Sequence, residues 1–268
     1  MRRPSPRRML RATLFALALP CVLVAVWWLA SDQSTSFYAP PLRTILSRFD
    51  DTWTPDRLRD DVLPSVARLV AGYAVAGVVG VTVGVFIGTS RRARAFSEPA
   101  LEFLRAIPPP VLVPVIMLFA GIGDTMKIAV IASGCVWPVL LNTATGVRSV
   151  DQVASETARS YGVTGRARLR HLVLPAASPQ IFAGLRQALS IGVILMVISE
   201  MYASSSGLGF AIVQFQRSFA VPEMWTGILV LGLLGFALSV LFRIVERRAL
   251  GWYHGSRGAR RKAGGGSA

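Results

Sequence analysis

Long apolar stretches without charged residues alternate with short polar segments along the chain. A helix crosses the hydrocarbon core of a membrane with about 20 apolar residues, and six stretches approach that length. Five carry no charged residue, and the fifth in order carries only Arg186. The stretches are Ala12–Ala30, Leu69–Ser90, Ala106–Gly123, Ile128–Val147, Ala176–Ser199 and Met224–Phe242. The pattern predicts an all-α integral membrane protein with six transmembrane helices.

Composition supports a lipid environment over an aqueous one. Hydrophobic residues make up 53% of the 268 residues and charged residues only 16%, against about 25% charged in an ordinary soluble domain. The net charge of +15 suggests nucleic-acid binding as an alternative, but such proteins concentrate their basic residues on one folded face. Here the basic residues flank the apolar stretches, so we expect the lipid bilayer as a partner and no nucleic acid.

The basic residues also predict the orientation. Cytoplasmic segments of membrane proteins carry an excess of Lys and Arg. With the N-terminus inside, the inner segments hold 20 of the 29 basic residues and the outer segments hold 6. The inner segments are 1–11, 89–98, 148–175 and 243–268. We therefore predict a multi-pass membrane protein with both termini in the cytoplasm.

The topology divides the chain into four segments. Arginines before the first apolar stretch are typical of a signal peptide, but the stretch continues well past Cys21, so we predict a retained helix. Leu42, Ile45, Leu46 and Phe49 then recur at the spacing of an outer amphipathic helix. The segments are 1–11, a cytoplasmic basic N-terminus; 12–61, the first transmembrane helix and outer amphipathic segment; 62–250, the core transmembrane domain; and 251–268, a cytoplasmic basic tail expected to lack fixed structure.

The sequence contains none of the common catalytic motifs. It contains no Gly-Lys-Ser or Gly-Lys-Thr of a phosphate-binding loop, no Gly-x-Ser-x-Gly and no His-Glu-x-x-His. Two histidines are too few for a zinc site, and Cys21 and Cys135 both lie in apolar stretches, where free thiols are expected. We predict a protein that is not an enzyme and binds no metal or cofactor. A gradient-driven secondary transporter or channel, or an intramembrane enzyme, are the competing classes.

Small residues recur every four positions in the second apolar stretch, at Gly80, Gly84 and Gly88. Such a stripe lets two helix backbones approach closely, and we predict helix packing there. Lining of a channel is the alternative.

The inner segment 148–175, called here the 148–175 loop, predicts two short helices joined by a glycine. Val153, Thr157 and Tyr161 share one side of the first helix, and Gly162 can end it in a left-handed cap. Pro175 lies near the start of the fifth membrane helix, where proline is tolerated. A simple connection needs no such structure, so we predict a docking surface.

The same loop resembles the inner-loop signature of the permeases of ATP-binding-cassette (ABC) importers. That signature is Glu-Ala-Ala, three residues, Gly, nine residues, Ile-x-Leu-Pro, and the loop keeps both spacings, with Thr157 and Leu172 as the departures. The resemblance implies the type I importer permease fold and a coupling contact with an ATPase. The residues implied in that contact are Glu156, Thr157, Ala158, Tyr161, Gly162, Val163, Leu172, Leu174 and Pro175.

The resemblance also implies partners. The chain would work with a second permease copy, as an expected homodimer, with two cytoplasmic ATPases that bind ATP and Mg, and with an extracytoplasmic solute-binding protein. Other segments are similar to the sulfonate, nitrate and taurine branch of the family, among them Arg105–Pro108, Gly184–Arg186 and Gly207–Gly209. That branch implies a small anion as solute, with a pyrimidine or thiamine precursor or another small organic solute as the alternative.

Ionised residues in the spans suggest a translocation path. Because charges in lipid are costly, Arg105, Arg186 and Glu102 need partners or a polar cavity. The candidates for the path are Arg105, Pro108, Arg186 and Glu200. The alternative is a structural pairing in which Glu102 and Arg105, one helical turn apart, meet Arg186 from a neighbouring helix.

Overall fold

Helices form every regular element in the residues that the computed structural model describes, 6–202 and 204–253. The predicted tail lies outside the described residues from position 254, as do residues 1–5 of the N-terminal segment. The helices are α1 (Pro6–Ser31), α2 (Leu42–Ser47), α3 (Phe49–Thr52), α4 (Pro55–Thr89), α5 (Arg91–Ala106), α6 (Pro109–Ala120), α7 (Asp124–Arg148), α8 (Gln152–Ser160), α9 (Gly165–Tyr202), α10 (Leu208–Arg217) and α11 (Val221–Ala249).

Four helices are long and apolar enough to cross a membrane: α4, α7, α9 and α11. A fifth crossing is possible if α5 and α6, which meet at a bend of 74°, form one broken span. In α1, the residues Ala18–Ser31 form a shorter apolar helical segment within the part of the helix whose side chains the structure describes. The described residues thus contain four or five apolar spans, and the count of six stays a prediction.

The third predicted stretch, Ala106–Gly123, is not one straight helix. α5 ends at Ala106, and Ile107 takes an extended conformation with φ −76° and ψ 118°. Because the ring of Pro108 clashes with a helical residue before it, the chain turns there and resumes as α6. The charged helix α5 therefore precedes a short apolar one, and the bend separates them.

The described residues form two compact units, one containing Ala211–Val230 and the residues up to Leu58, the other the residues from Arg59 to Phe210 and from Leu231 onward. In the larger unit, α4 packs against α7 along the glycine stripe. A Cβ added to Gly80 would lie 2.8 Å from Val139 Cβ, and one on Gly84 would lie 2.7 Å from the carbonyl oxygen of Leu140. Only glycine permits this separation of the two backbones.

Two helices contain a widened, π-helical turn immediately before a proline. The turns are Leu58–Val62 in α4 and Leu169–Val173 in α9, and Pro64 and Pro175 follow them. A proline lacks the N–H group of a regular helical bond and clashes with the carbonyl four residues earlier. The wider turn relieves this conflict without ending the helix.

In the smaller unit, the predicted amphipathic helix appears as α2. Leu42 and Ile45 are buried in the protein, whereas Leu46 is exposed. Trp53 is also buried, and its Nε1 donates a hydrogen bond of 2.9 Å to Oγ1 of Thr226. Two of the apolar residues of this helix therefore pack into the protein.

Candidate functional site

The 148–175 loop begins with a capped helix. Oδ1 of Asp151 accepts a hydrogen bond of 3.1 Å from the backbone N–H of Ala154. This contact satisfies a free N–H group of the first turn of α8 and places a negative charge at the positive end of its dipole. Nε2 of Gln152 donates to Oε1 of Glu156 at 3.0 Å along the same helix. Local contacts alone therefore define where α8 starts.

Gly162 ends α8 in a left-handed conformation, with φ +71°. Its N–H donates to the carbonyl of Arg159 at 2.9 Å, and the N–H of Val163 donates to the carbonyl of Ala158 at 2.8 Å. These two bonds form the Schellman pattern of helix ends. A Cβ on Gly162 would meet no atom within 4 Å, so glycine is required here by the backbone conformation and not by lack of space.

The second half of the loop is continuous with a membrane-spanning helix. α9 starts within the loop, passes Pro175 and continues without interruption through the fifth apolar stretch. Nη2 of Arg168 donates a hydrogen bond of 2.8 Å to Oγ of Ser155. The start of α9 is thereby tied back to α8.

A buried apolar cluster fastens the base of the loop to the spans. Val147 near the end of α7, together with Val173 and Ala177 of α9, forms this cluster. Val85 of α4 and Val150 pack against it from the side. The base of the loop is therefore packed against three spans.

The nine residues implied in the contact with an ATPase occupy two kinds of position in this element. Tyr161 is 81% exposed and Val153 beside it is 71% exposed, so α8 and its C-cap present apolar groups that none of the described residues covers. Exposed apolar groups of this kind suit contact with another protein. Of the nine, Glu156, Thr157, Tyr161 and Gly162 are exposed, and Ala158, Val163, Leu172, Leu174 and Pro175 are half-buried.

Glu200, at the far end of α9 from the loop, is fully buried. Its Oε1 accepts a hydrogen bond of 2.8 Å from Nη1 of Arg68, and its Oε2 accepts one of 3.0 Å from the N–H of Gly209. The hydroxyl of Ser65 lies 2.8 Å from both carboxylate oxygens. Nε of Arg68 donates to Oδ1 of Asp124 at 2.8 Å. Sequence analysis placed Glu200 on the translocation path; the structure instead encloses its carboxylate with donors of the chain itself.

The glycines after α9 fit around this carboxylate. Gly207 has φ +118°, and a Cβ on it would lie 2.5 Å from Oε1 of Glu200. The N–H of Gly207 donates to Oδ1 of Asp61 at 3.0 Å, and the N–H of Leu208 donates to Oγ of Ser65 at 2.8 Å. The backbone N–H groups of Gly207, Leu208 and Gly209 therefore complete the hydrogen-bond network around Glu200.

Sequence reasoning missed Ser65, Arg68 and Asp124 as members of this network. One signal was present: Arg68 directly precedes an uncharged stretch of 22 residues, and a charge at such a place needs a partner. Its charged partners come from α7 and α9, Ser206 of the following loop accepts two further hydrogen bonds, and sequence spacing does not reveal such contacts.

Arg105 lines a cavity of about 300 Å³ between α5 and α7. The charged residues that surround this cavity are Arg94, Glu98, Glu102, Arg105 and Arg148. Three guanidinium groups face two carboxylates, so the lining carries a net positive charge.

Arg186 lies elsewhere, in a second cavity of about 440 Å³. Its Nη2 pairs with Oε2 of Glu246 in α11, so the hypothesis that it pairs with Glu102 or Arg105 is wrong. Packing of α9 against the end of α11 gives Arg186 a nearer carboxylate. Pro108 stands exposed at the bend between α5 and α6. The structure therefore does not gather the four residues expected on the path.

Comparison with known proteins shows what the chain is similar to. Residues 80–251 match the family described as binding-protein-dependent transport system inner membrane component. A Bacillus subtilis (strain 168) protein named as an aliphatic sulfonates transport permease is 29% identical over 93% of this chain and 91% of its own length. The taurine transport system permease protein of Escherichia coli (strain K12) is 30% identical over 91% of each chain. The bicarbonate transport system permease protein of Synechococcus elongatus is 30% identical over 91% of this chain and 94% of its own.

Solved structures share the fold. A chain of an inward-facing methionine ABC transporter matches with a TM-score of 0.61 at 19% identity, covering 71% of this chain and 94% of that chain. A chain of an amino acid ABC transporter matches with a TM-score of 0.57 at 19% identity, covering 76% and 98%. The chain therefore has the all-helical fold of these transporter chains.

Proposed function

The chain belongs to the family of binding-protein-dependent transport system inner membrane components, and we propose that it moves a small anion of the sulfonate class across a bacterial inner membrane. Relatives that match more than 90% of the chain are named for aliphatic sulfonates, taurine and bicarbonate. All three are small solutes with an anionic group at neutral pH. Because two of the three carry a sulfonate, that class is the proposed solute.

The proposed assembly contains two copies of this chain, two cytoplasmic ATPases and an extracytoplasmic binding protein that delivers the solute. ATP and Mg are held by the ATPases, and this chain binds neither. Each copy crosses the membrane six times, with α1 and the bent pair α5–α6 as one crossing each, and both termini lie in the cytoplasm. Segment 12–61 supplies the first crossing and the outer helices, and 62–250 forms the permease core.

One observation carries the coupling role: the 148–175 loop is a helix, a left-handed glycine and a second helix that continues as a span. A partner pressing on the exposed residues of α8 would act on Arg168 through its bond to Ser155. Since α9 is continuous from there into the fifth apolar stretch, a displacement of the loop tilts or shifts that span. The signature residues from Glu156 to Pro175 are proposed to make or support this contact.

The mechanism is a rigid-body movement. ATP binding draws the two ATPases together and brings the two 148–175 loops toward each other. The inner ends of α7 and α9 follow, because the cluster of Val147, Val173 and Ala177 joins them to the loop. The outer ends stay joined through the network around Glu200, so the movement changes which side of the membrane the path faces.

The cavity beside Arg105 is the proposed inner part of the path. Its excess of guanidinium groups suits an anion, since each can bind an oxyanion with two N–H groups. Arg186, in the cavity that it shares with Glu246, is a second proposed contact, and Pro108 is proposed to set the bend that opens the first cavity. Glu200 is left out of the path because it has no open surface.

Reconstitution with an ABC ATPase and a binding protein, both of which we expect to be encoded beside this chain, tests the function. The binding protein is titrated by calorimetry with taurine, an alkanesulfonate, nitrate, bicarbonate and a thiamine-precursor pyrimidine. Uptake of the bound solute into proteoliposomes is then measured with and without ATP. We expect a sulfonate to bind most tightly and its uptake to need ATP, the ATPase and the binding protein.

Different failures have different meanings. Tight binding of the pyrimidine alone would overturn the anion class and leave the importer role intact. Uptake driven by an ion gradient without the ATPase would overturn the importer role.

A further inference from the structure

A cleft of about 370 Å³ lies where α4 and α7 end and α5 begins, next to the base of the 148–175 loop. Four arginines contribute its charged lining, and no carboxylate lines it. They are Arg91, Arg94, Arg148 and Arg168. Four guanidinium groups around one concave surface repel each other unless an anion lies among them.

Internal carboxylates do not neutralise this cluster. Glu98 and Glu102 line the neighbouring cavity together with Arg94 and Arg148. Within residues 6–202 and 204–253, however, no ion pair joins any of the four cleft arginines to a carboxylate. The chain concentrates positive charge here without supplying its counterion.

One nitrogen of Arg168, a residue that lines the cleft, lacks a hydrogen-bond partner. Nε of Arg168 is buried, and no hydrogen-bond acceptor contacts it, although Nη2 of the same side chain is bound to Ser155. A buried donor without an acceptor costs free energy. Only a rotation of the Arg168 side chain that opens Nε to the cleft would let an oxygen atom of a bound group remove that cost.

The depth of the cleft identifies the source of the anion. Its apolar lining includes Ile87 and Val147, which lie in the last turns of two uncharged stretches, and Val173 opposite them. Where apolar spans end and arginines begin, the membrane presents lipid headgroups. Ser90 is also in the lining, and its hydroxyl oxygen accepts a hydrogen bond of 3.2 Å from the N–H of Ala93 at the start of α5.

We propose that this cleft binds the phosphate of an anionic phospholipid at the inner surface of the membrane. Its placement in the inner leaflet rests on the orientation given under the proposed function. Arginine forks match phosphate oxygens in pairs. Because Arg168 also holds Ser155 of α8, a bound headgroup would fix the position of the 148–175 loop.

The test uses the purified permease–ATPase complex in detergent, with phosphatidylglycerol, phosphatidylcholine and inorganic phosphate as probes. Binding is counted by native mass spectrometry and by the rise in thermal stability. The variant Arg91→Gln/Arg168→Gln removes two cleft arginines. The control Arg92→Gln/Arg166→Gln removes the same charge from exposed neighbours outside the cleft.

We expect the wild type and the control to bind phosphatidylglycerol in preference to phosphatidylcholine. The cleft variant should lose about fivefold in affinity per arginine, or about 25-fold together. Equal losses in both variants, or no preference for the anionic lipid, would overturn the proposal. Saturation by inorganic phosphate with no lipid bound would show a free-phosphate site instead.

Two further outcomes separate this proposal from the importer role. If the cleft variant releases the ATPase while its lipid binding is unchanged, the cleft is a protein contact and the lipid proposal is wrong. If lipid binding depends on the cleft arginines but the wild-type complex shows no ATP-driven uptake, the lipid site stands and the proposed function fails.

Discussion

Arg68 and Glu200 form a buried ion pair across 132 residues of chain, with 2.8 Å between Nη1 and Oε1. Their side chains are 6% and 0% exposed. Asp124 accepts a second bond from the same guanidinium, so a single side chain of α4 joins the start of α7 to the end of α9. The three helices are fixed at this end, whereas the 148–175 loop lies at their other end.

Arg68→Ala should strongly destabilise the protein. The change leaves the Glu200 carboxylate buried without its cation, which typically costs about 3–5 kcal/mol. We expect a clear fall in the unfolding temperature in detergent, followed by light scattering or intrinsic fluorescence. Arg59→Ala, on the same helix but exposed and outside the network, should leave that temperature unchanged.

The double variant Arg68→Met/Glu200→Leu tests whether the two residues stabilise the protein as a coupled pair or independently of each other. Removing both charges together leaves neither unpaired, so its loss of stability should be smaller than the sum of the single losses. Additive losses would contradict the interpretation as a coupled pair.

Gly84→Ala should also lower the unfolding temperature. The new Cβ would lie 2.7 Å from the carbonyl oxygen of Leu140 and 2.7 Å from Cβ of Thr143, and overpacking of this kind costs about 1–3 kcal/mol. Gly77→Ala on the same helix is the matched control. Its Cβ would meet only Leu185 Cδ2 at 3.6 Å, an ordinary contact. Equal stability of both variants would show that the spacing of α4 and α7 is not set by the stripe.

The orientation can be tested by labelling. In a background with Cys21 and Cys135 replaced by alanine, single cysteines at Ser36 and Ser205 should react with an impermeant thiol reagent in intact cells. A cysteine at Ser160 should react only after the membrane is opened. All three positions are exposed in the structure, so access to the reagent depends on the side of the membrane. Labelling of Ser160 in intact cells would reverse the proposed topology.

Local sequence signals predicted the local structure well. The glycine after α8 has the expected left-handed backbone because Gly162 follows a helix whose last turns carry the cap pattern. Apolar length likewise predicted α4, α7, α9 and α11, since a long uncharged stretch has few alternatives to a helix in lipid. The break at Pro108 was missed because hydropathy records how apolar a stretch is and not whether it can stay straight.

Contacts between helices were the part that could not be predicted. From the sequence alone, several carboxylates could form the ion pair with Arg186. The packing of α9 against α11 determines that its partner is Glu246. Glu200 looked suitable for the path because an ionised group in a span is commonly functional. Its burial depends on Arg68 and Ser65, which lie 132 and 135 residues earlier in the chain, and on the loop at Gly207.

Gly162→Val should abolish uptake without loss of the folded protein. A β-branched residue is strongly disfavoured at φ +71°, with a backbone cost of about 1–3 kcal/mol, so the Schellman bonds to Arg159 and Ala158 should break. The spans do not depend on those bonds, and expression and membrane insertion should be normal. Association with the ATPase and solute-stimulated hydrolysis should be lost, as measured by co-purification and phosphate release. Glu156→Lys, an exposed change on α8, should weaken the same association.

The variant Gly162→Asn tests whether the effect of Gly162→Val comes from the backbone conformation at this position. Asparagine adopts the left-handed region far more readily than valine, and nothing lies within 4 Å of the position that a Cβ would occupy. We therefore expect this variant to retain most ATPase association and uptake. If Gly162→Asn and Gly162→Val fail equally, the ATPase requires the bare surface of a glycine and not the turn. If Gly162→Val keeps full uptake and stimulated hydrolysis, the 148–175 loop does not transmit the movement of the ATPases.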